Sequence, residues 1–136
     1  MITAVDSNVL IDVLGADPTF GPRSRVALSR SRNEGSLIAC DIVWSEVVAA
    51  FPDSDATAAA LDRLAIEYIP TSQTTAIRAA LAWRAYRGRG GPRARLIADF
   101  LVGAHALEQA DRLLTRDRGF HRLAFDGLTI LDPSTA

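Results

Sequence analysis

The chain is expected to fold as an α/β domain, a mostly parallel five-stranded sheet between two layers of helices. Three observations lead there. Short apolar runs of strand length alternate with longer segments of helical period. Such alternation within one domain favours a parallel sheet covered by helices on both faces. At 136 residues, 49% apolar and 23% charged, the chain is large enough for a single core and shows no second unit.

The first strand is the apolar run at residues 2–5, which meets Asp6 in "TAVDSNVL". Residues 22–31 have a helical pattern and 37–40 form the second strand. Asp41 is the expected N-cap of a helix over 42–51, in which Ile42, Val43, Val47 and Phe51 make an apolar stripe with Glu46 beside it. Ser54 or Asp55 should cap an alanine-rich helix at 56–65, and residues 68–69 form the third strand. A helix over 74–86 stops at "RGRGGPRA", the only break in composition. After it come a helix over 95–110, a fourth strand at 113–115 and a fifth at 128–131. In sheets of this kind ligands bind beyond the carboxyl ends of the strands, near a reversal of strand order. Asp6 stands at such an end.

Fifteen basic residues against sixteen acidic ones give a formal charge of −1, so no global field draws the protein to nucleic acid or membrane. All fifteen are arginine, which excludes P-loop and Schiff-base chemistry that depends on lysine. A single cysteine, Cys40, forms no internal disulfide and reads as a small core residue. Residues 1–22 carry no basic residue, unlike the start of a signal peptide, and no apolar run approaches the roughly 20 residues of a membrane span. A cytoplasmic location is expected.

Four acids sit where strand ends should converge. Asp6 follows the first strand, Glu46 lies in the helix after the second, Asp99 is inside the helix before the fourth, and Asp117 follows the fourth in "LLTRDRGF". Asp99 interrupts the apolar "LIADFLVGAHAL", where an ionised carboxylate needs a compensating cation. With no lysine available, a divalent metal is the natural candidate, and an all-oxygen donor set suits Mg²⁺ or Mn²⁺.

The series "VDSNVLID", "WSEVVAA", "IADFLVGAHAL" and "LLTRDRGF", in this order and at these separations, resembles the PIN-domain ribonucleases, most closely the VapC toxins of bacterial toxin–antitoxin pairs. The likeness runs from Ile2 to about Leu131. It implies a PIN-like three-layer α/β/α fold over residues 1–136, a Mg²⁺- or Mn²⁺-dependent phosphodiesterase site, RNA as substrate, a homodimer, and a cognate VapB-type antitoxin. It places the family's four acids on Asp6, Glu46, Asp99 and Asp117, as metal ligands and catalytic residues. Ser7 and Asn8 fall beside the first acid and Thr115 near the last, on polar positions that face substrate. The expected chemistry is in-line attack of an activated water on phosphorus, without a covalent intermediate.

The arginines form two groups. Arg87, Arg89, Arg93 and Arg95 surround three glycines and Pro92 in a basic loop ahead of Asp99, where Arg89, Arg93 and Arg95 are candidates to grip RNA phosphates. Arg116, beside Asp117, is a further candidate. Asp12 and Asp111 are read as a helix surface and a helix end, His105 and His121 as packed or surface residues, and Trp83 and Tyr86 as core. A phosphatase with an aspartate nucleophile would want a second Asp where Asn8 stands, and a lysine. The remaining alternative is a non-catalytic PIN-like module for RNA binding or assembly, in which acids would be expected to be lost.

Overall fold

Backbone pairing gathers five short strands into one sheet: β1 (Ile2–Val5), β2 (Ser36–Ala39), β3 (Ile66–Tyr68), β4 (Arg112–Leu114) and β5 (Ile130–Leu131). The computed structural model describes residues 1–90 and 95–135. All pairs are parallel and the order is β3-β2-β1-β4-β5. The inner residues of β1 and β2 are buried, as expected where helices cover both faces. Between β1 and β2 run α1 (Ser7–Leu14) and α2 (Gly21–Glu34), and between β2 and β3 run α3 (Asp41–Ala49) and α4 (Ser54–Arg63). The helices α5 (Gln73–Gly88) and α6 (Ile97–Gln109) cross to β4, and α7 (Arg118–Ala124) leads to β5. Right-handed crossovers then set α1–α4 on one face and α5–α7 on the other. The packing agrees: α1 contacts α2 and α3, while α5 contacts α6 and α7. The three-layer α/β/α arrangement is the one expected.

Local chemistry explains where elements begin. Asp53, rather than Ser54 or Asp55, caps α4, its Oδ1 accepting from the Ala56 amide at 3.0 Å. Asp41 is the first residue of α3 rather than its cap. Its carboxylate instead accepts from the Thr71 amide at 2.8 Å, tying α3 to the segment after β3. Ser72 and Thr75 form a capping box at the start of α5. Two helices that the sequence reading did not delimit are α1 and α7, of eight and seven residues. The strand run and α1 are joined by Asp6 alone, so their apolar residues read as one stretch.

An aromatic group fixes α6 and α7. Phe100 is fully buried between Tyr86, Phe120 and Phe125, with ring centroids 5.5, 5.1 and 6.4 Å away. Trp83 joins it at 6.3 Å, so Trp83 and Tyr86 are core residues as read. At Gly103 a Cβ would stand 2.3 Å from the Phe125 ring, so the helix accepts only glycine at that contact. Asp99 and Asp117 thus project from elements locked to one another by packing. Among the described residues no helix is long and apolar enough to cross a membrane.

Candidate active site

The chain leaves β1 for β2 on one side, yet β1's other neighbour is β4, so the carboxyl ends of β1 and β4 flank the reversal of strand order. Asp6 lies there, its amide donating to the Leu114 carbonyl at 2.9 Å. Its carboxylate is buried and well supplied with donors. Oδ1 caps α1 by accepting from the Ser7 amide at 2.8 Å, and Oδ2 accepts from the Thr115 hydroxyl at 2.8 Å. His121 Nε2 stands 3.4 Å from the same Oδ2. Burial alone would raise the Asp6 pKa, but the contacts with His121, Thr115 and Ser7 outweigh it and hold the group below the ordinary carboxylate value.

Ser7 carries the arrangement to the second acid. Its hydroxyl donates to Glu46 Oε1 at 3.2 Å while its amide holds Asp6 Oδ1, so one residue bridges two carboxylates. Partial burial pushes the Glu46 pKa up; the Ser7 hydrogen bond opposes the rise, and the charges of Asp6 and Asp99 add to it. Asp99 sits in the first turn of α6, where its Oδ2 accepts from the Leu96 amide at 3.1 Å. Asp6, Glu46 and Asp99 therefore share one electrostatic neighbourhood, brought together from β1, α3 and α6.

Thr115 organises the β4 side. Besides donating to Asp6, its Oγ1 accepts from the Asp117 amide at 2.9 Å and lies 3.4 Å from Asn8 Nδ2. Asn8 Oδ1 in turn accepts from the Arg116 amide at 3.1 Å. The carboxylate of Asp117 is paired with Arg95, whose guanidinium also rests 4.5 Å above the Phe120 ring.

The other arginines are distributed differently from the sequence reading. Arg116 points to Asp12, with Nε 2.7 Å from Oδ2 and Nη2 3.2 Å from Oδ1. Asp12 is buried, not on a helix surface, and accepts also from the Ser24 hydroxyl at 3.2 Å. Arg87 lies within α5 and Arg89 caps its end, so neither belongs to a loop, and Arg89 Nη2 donates to the Leu123 carbonyl at 3.1 Å. Arg93 lies outside the described residues. Asp111 lies just beyond the end of α6, as read, and its carboxylate ties that end to β1 by accepting from the Ile2 amide at 2.6 Å. Burial pushes the Cys40 thiol up to about 11, so it stays neutral, as a core residue should.

Two residues of this network were not picked out from the sequence. His121 is buried beside Asp6 with Nδ1 lacking a hydrogen-bond partner among the described residues, and nothing in "RGFHRLAF" marks it. Asp12 did carry a signal, since an aspartate inside the apolar "SNVLIDVL" poses the same question as Asp99 in α6.

The donor chemistry of the acids fits a hard divalent cation. Among the described residues no three His, Cys, Asp or Glu side chains are gathered tightly enough to hold a metal by themselves. Mg²⁺, however, is usually held by one or two carboxylates with water completing the shell. The Ser7-bridged pair of Asp6 and Glu46, with Asp99 in the same field, meets that requirement.

A family model described as PIN domain matches residues 3–126. The fold is similar to VapBC2 from Rickettsia felis bound to a DNA fragment from their promoter, with TM-score 0.76 at 19% identity over 97% of this chain and 98% of that one. VapBC-1 from nontypeable Haemophilus influenzae gives TM-score 0.76 at 15% identity, covering 98% and 99% of the two chains. A toxin–antitoxin complex from Klebsiella pneumoniae gives 0.71 at 22% identity, covering 96% and 97%. No curated protein matches the sequence.

Proposed function

The chain belongs to the PIN domain family, and on that premise we propose that it is a metal-dependent endoribonuclease acting as the toxin of a VapBC-type pair. The observation that carries this reading is the carboxylate group at the strand-order reversal. Asp6 and Glu46 are bridged by Ser7, Asp99 acts on the same field, and no arginine among the described residues pairs with any of the three. Acids left without a guanidinium beside a basic segment suit a cation that arrives with solvent.

Asp6, Glu46 and Asp99 would hold Mg²⁺ or Mn²⁺. Bound there, the ion would acidify an attacking water and offset charge on the phosphoryl oxygens. The protein's own part is orientation. Ser7 and Thr115 fix opposite oxygens of Asp6, Asn8 joins Thr115 to the backbone of Arg116, and Arg95 supplies positive charge for the phosphodiester. Arg89 and Arg93 are further phosphate contacts in this reading, and the Arg116 guanidinium, held by Asp12, reaches substrate only through its exposed edge. A VapB-type antitoxin is the expected partner, in line with the complexes to which the fold is similar, and the protein is proposed to act as a homodimer in the cytoplasm.

Purified protein incubated with bacterial RNA, with Mn²⁺ and with chelator, tests the reading. Cleavage should require the metal, and Asp6→Asn and Asp99→Asn should reduce it to background while the fold survives, with Glu46→Gln close behind. Expression in a bacterial host should show the same order as relief of growth arrest. Full cleavage by Asp6→Asn, or cleavage undiminished in chelator, would exclude the mechanism and favour the non-catalytic module.

A further inference from the structure

Asp117 stands apart from the other three acids. Both of its carboxylate oxygens accept from one guanidinium, Oδ1 from Arg95 Nη2 at 3.0 Å and Oδ2 from Arg95 Nη1. The charges that act on Glu46 are those of Asp6 and Asp99. A carboxylate with both oxygens engaged by an arginine fork is poorly placed to ligate a metal. It is well placed to hold the arginine.

We propose that Asp117 is the positioning residue for Arg95, and that the pair forms a clamp for an RNA phosphate beside the Asp6–Glu46–Asp99 group rather than a fourth corner of it. The inference rests on the ribonuclease reading above. Guanidinium has five N–H donors in a fixed plane, and the fork to Asp117 uses two, leaving three for a phosphate. Its plane is set from below by Phe120, which is buried against Phe100 and Tyr86 with ring centroids 5.1 and 5.6 Å away. The height of the clamp is set by Thr115, whose Oγ1 takes the Asp117 amide at 2.9 Å and donates to Asp6 Oδ2 at 2.8 Å. One hydroxyl therefore joins the clamp to the first acid, so a phosphate gripped by Arg95 is registered against the reacting centre. About a third of each side chain in the pair stays exposed, enough for a phosphate to reach it.

The experiment compares two binding equilibria. Mn²⁺ affinity is measured by calorimetry, and RNA affinity by anisotropy of a fluorescein-labelled, mixed-sequence single-stranded RNA in Ca²⁺, across a series of salt concentrations. Arg95→Ala should weaken RNA binding on the order of tenfold, the scale of one lost charge-assisted contact, and lower the salt slope by about 0.7, the value for one phosphate of a single strand. Asp117→Asn keeps the guanidinium's charge and loosens only its aim, so it should weaken binding less and leave the salt slope near that of the wild type. Mn²⁺ affinity should hold in both. The double variant should bind RNA no more weakly than Arg95→Ala alone, because Asp117 acts through Arg95, and Asp117→Glu should recover part of the loss. If Asp117→Asn lowers Mn²⁺ affinity as Asp6→Asn does, or if the two RNA effects add, the clamp is wrong while the ribonuclease reading stands. Mn²⁺ affinity left unchanged by Asp6→Asn would instead remove that reading, and the clamp with it.

Discussion

Two arginine–aspartate forks flank the same crevice, and each guanidinium lies on a phenylalanine ring. Arg116 grips Asp12 over Phe20 at 3.9 Å, and Arg95 grips Asp117 over Phe120 at 4.5 Å. The two arginines are equally exposed, at 33% of the side chain, but the burial of their partners is inverted. The Asp12 side chain is 5% exposed and its ring Phe20 is exposed; Asp117 is 32% exposed and its ring Phe120 is buried. A buried carboxylate cannot lose its cation without being stranded in low dielectric. An exposed one can share its arginine with a ligand while the buried ring holds the arginine in place. The Asp12 fork is accordingly a structural tie between α1, α2 and the end of β4, and the Asp117 fork a device that can share its arginine with a ligand.

Removing the buried acid's partner should have the largest effect on stability. Among the described residues Arg116→Ala leaves the buried Asp12 carboxylate only the Ser24 hydroxyl, and it should destabilise the fold by about 3 kcal/mol, the usual scale for breaking a buried pair. Thermal melts should fall by about 10 °C. A loss below about 1 kcal/mol would mean that Asp12 is solvated and that the two forks do not differ in kind.

Asp117→Ala probes the other fork and should cost no more than about 1 kcal/mol, diminishing as salt is added. Denaturant titrations at low and high ionic strength would measure it. The contrast with Arg116→Ala is what distinguishes a tie from a clamp, so equal losses would abolish it.

Much of the fold was legible because strand runs, helical stripes and break residues follow simple periodicities. Five strands in the right order along the chain follow from five apolar runs, and the crevice follows from parallel topology and Asp6 at the end of β1. What escaped was short or non-local. Helix α1 begins one residue after β1, so no polar gap announces it, and α7 has fewer than two full turns of seven residues. The four acids were visible as charges after strands, at Asp6 and Asp117, and as charges beside or within apolar helical runs, at Glu46 and Asp99. The pairing of Arg116 with Asp12 was not, since the partners are 104 residues apart and only the β1–β4 register brings them together. His121 meets Asp6 across 115 residues for the same reason.

Glu46 is the third case, an acid paired with no arginine among the described residues, and it should show the smallest shift with the clearest dependence on pH. In the unfolded chain it ionises near its usual value of 4.5; in the folded protein partial burial, with Asp6 and Asp99 adding their charge, raises that value. Below the unfolded value both states are protonated and nothing is lost. As pH climbs through the raised folded value the carboxylate forms against its surroundings, and the stability present in acid is lost. Glu46→Gln keeps an oxygen for the Ser7 hydroxyl and never ionises. In chelator it should therefore exceed the wild type near neutral pH by about 0.5 kcal/mol, a figure discounted for the exposure of the side chain. The advantage should vanish near pH 4, below the value for unfolded glutamate. Saturating Mn²⁺ should reverse the order at neutral pH, because the ion binds only the folded wild type well. Melts of both proteins at these two pH values, with and without Mn²⁺, decide it. A Gln variant less stable than the wild type in chelator at neutral pH would show that Glu46 is not repelled by its neighbours, and that the crevice is not one field of carboxylates.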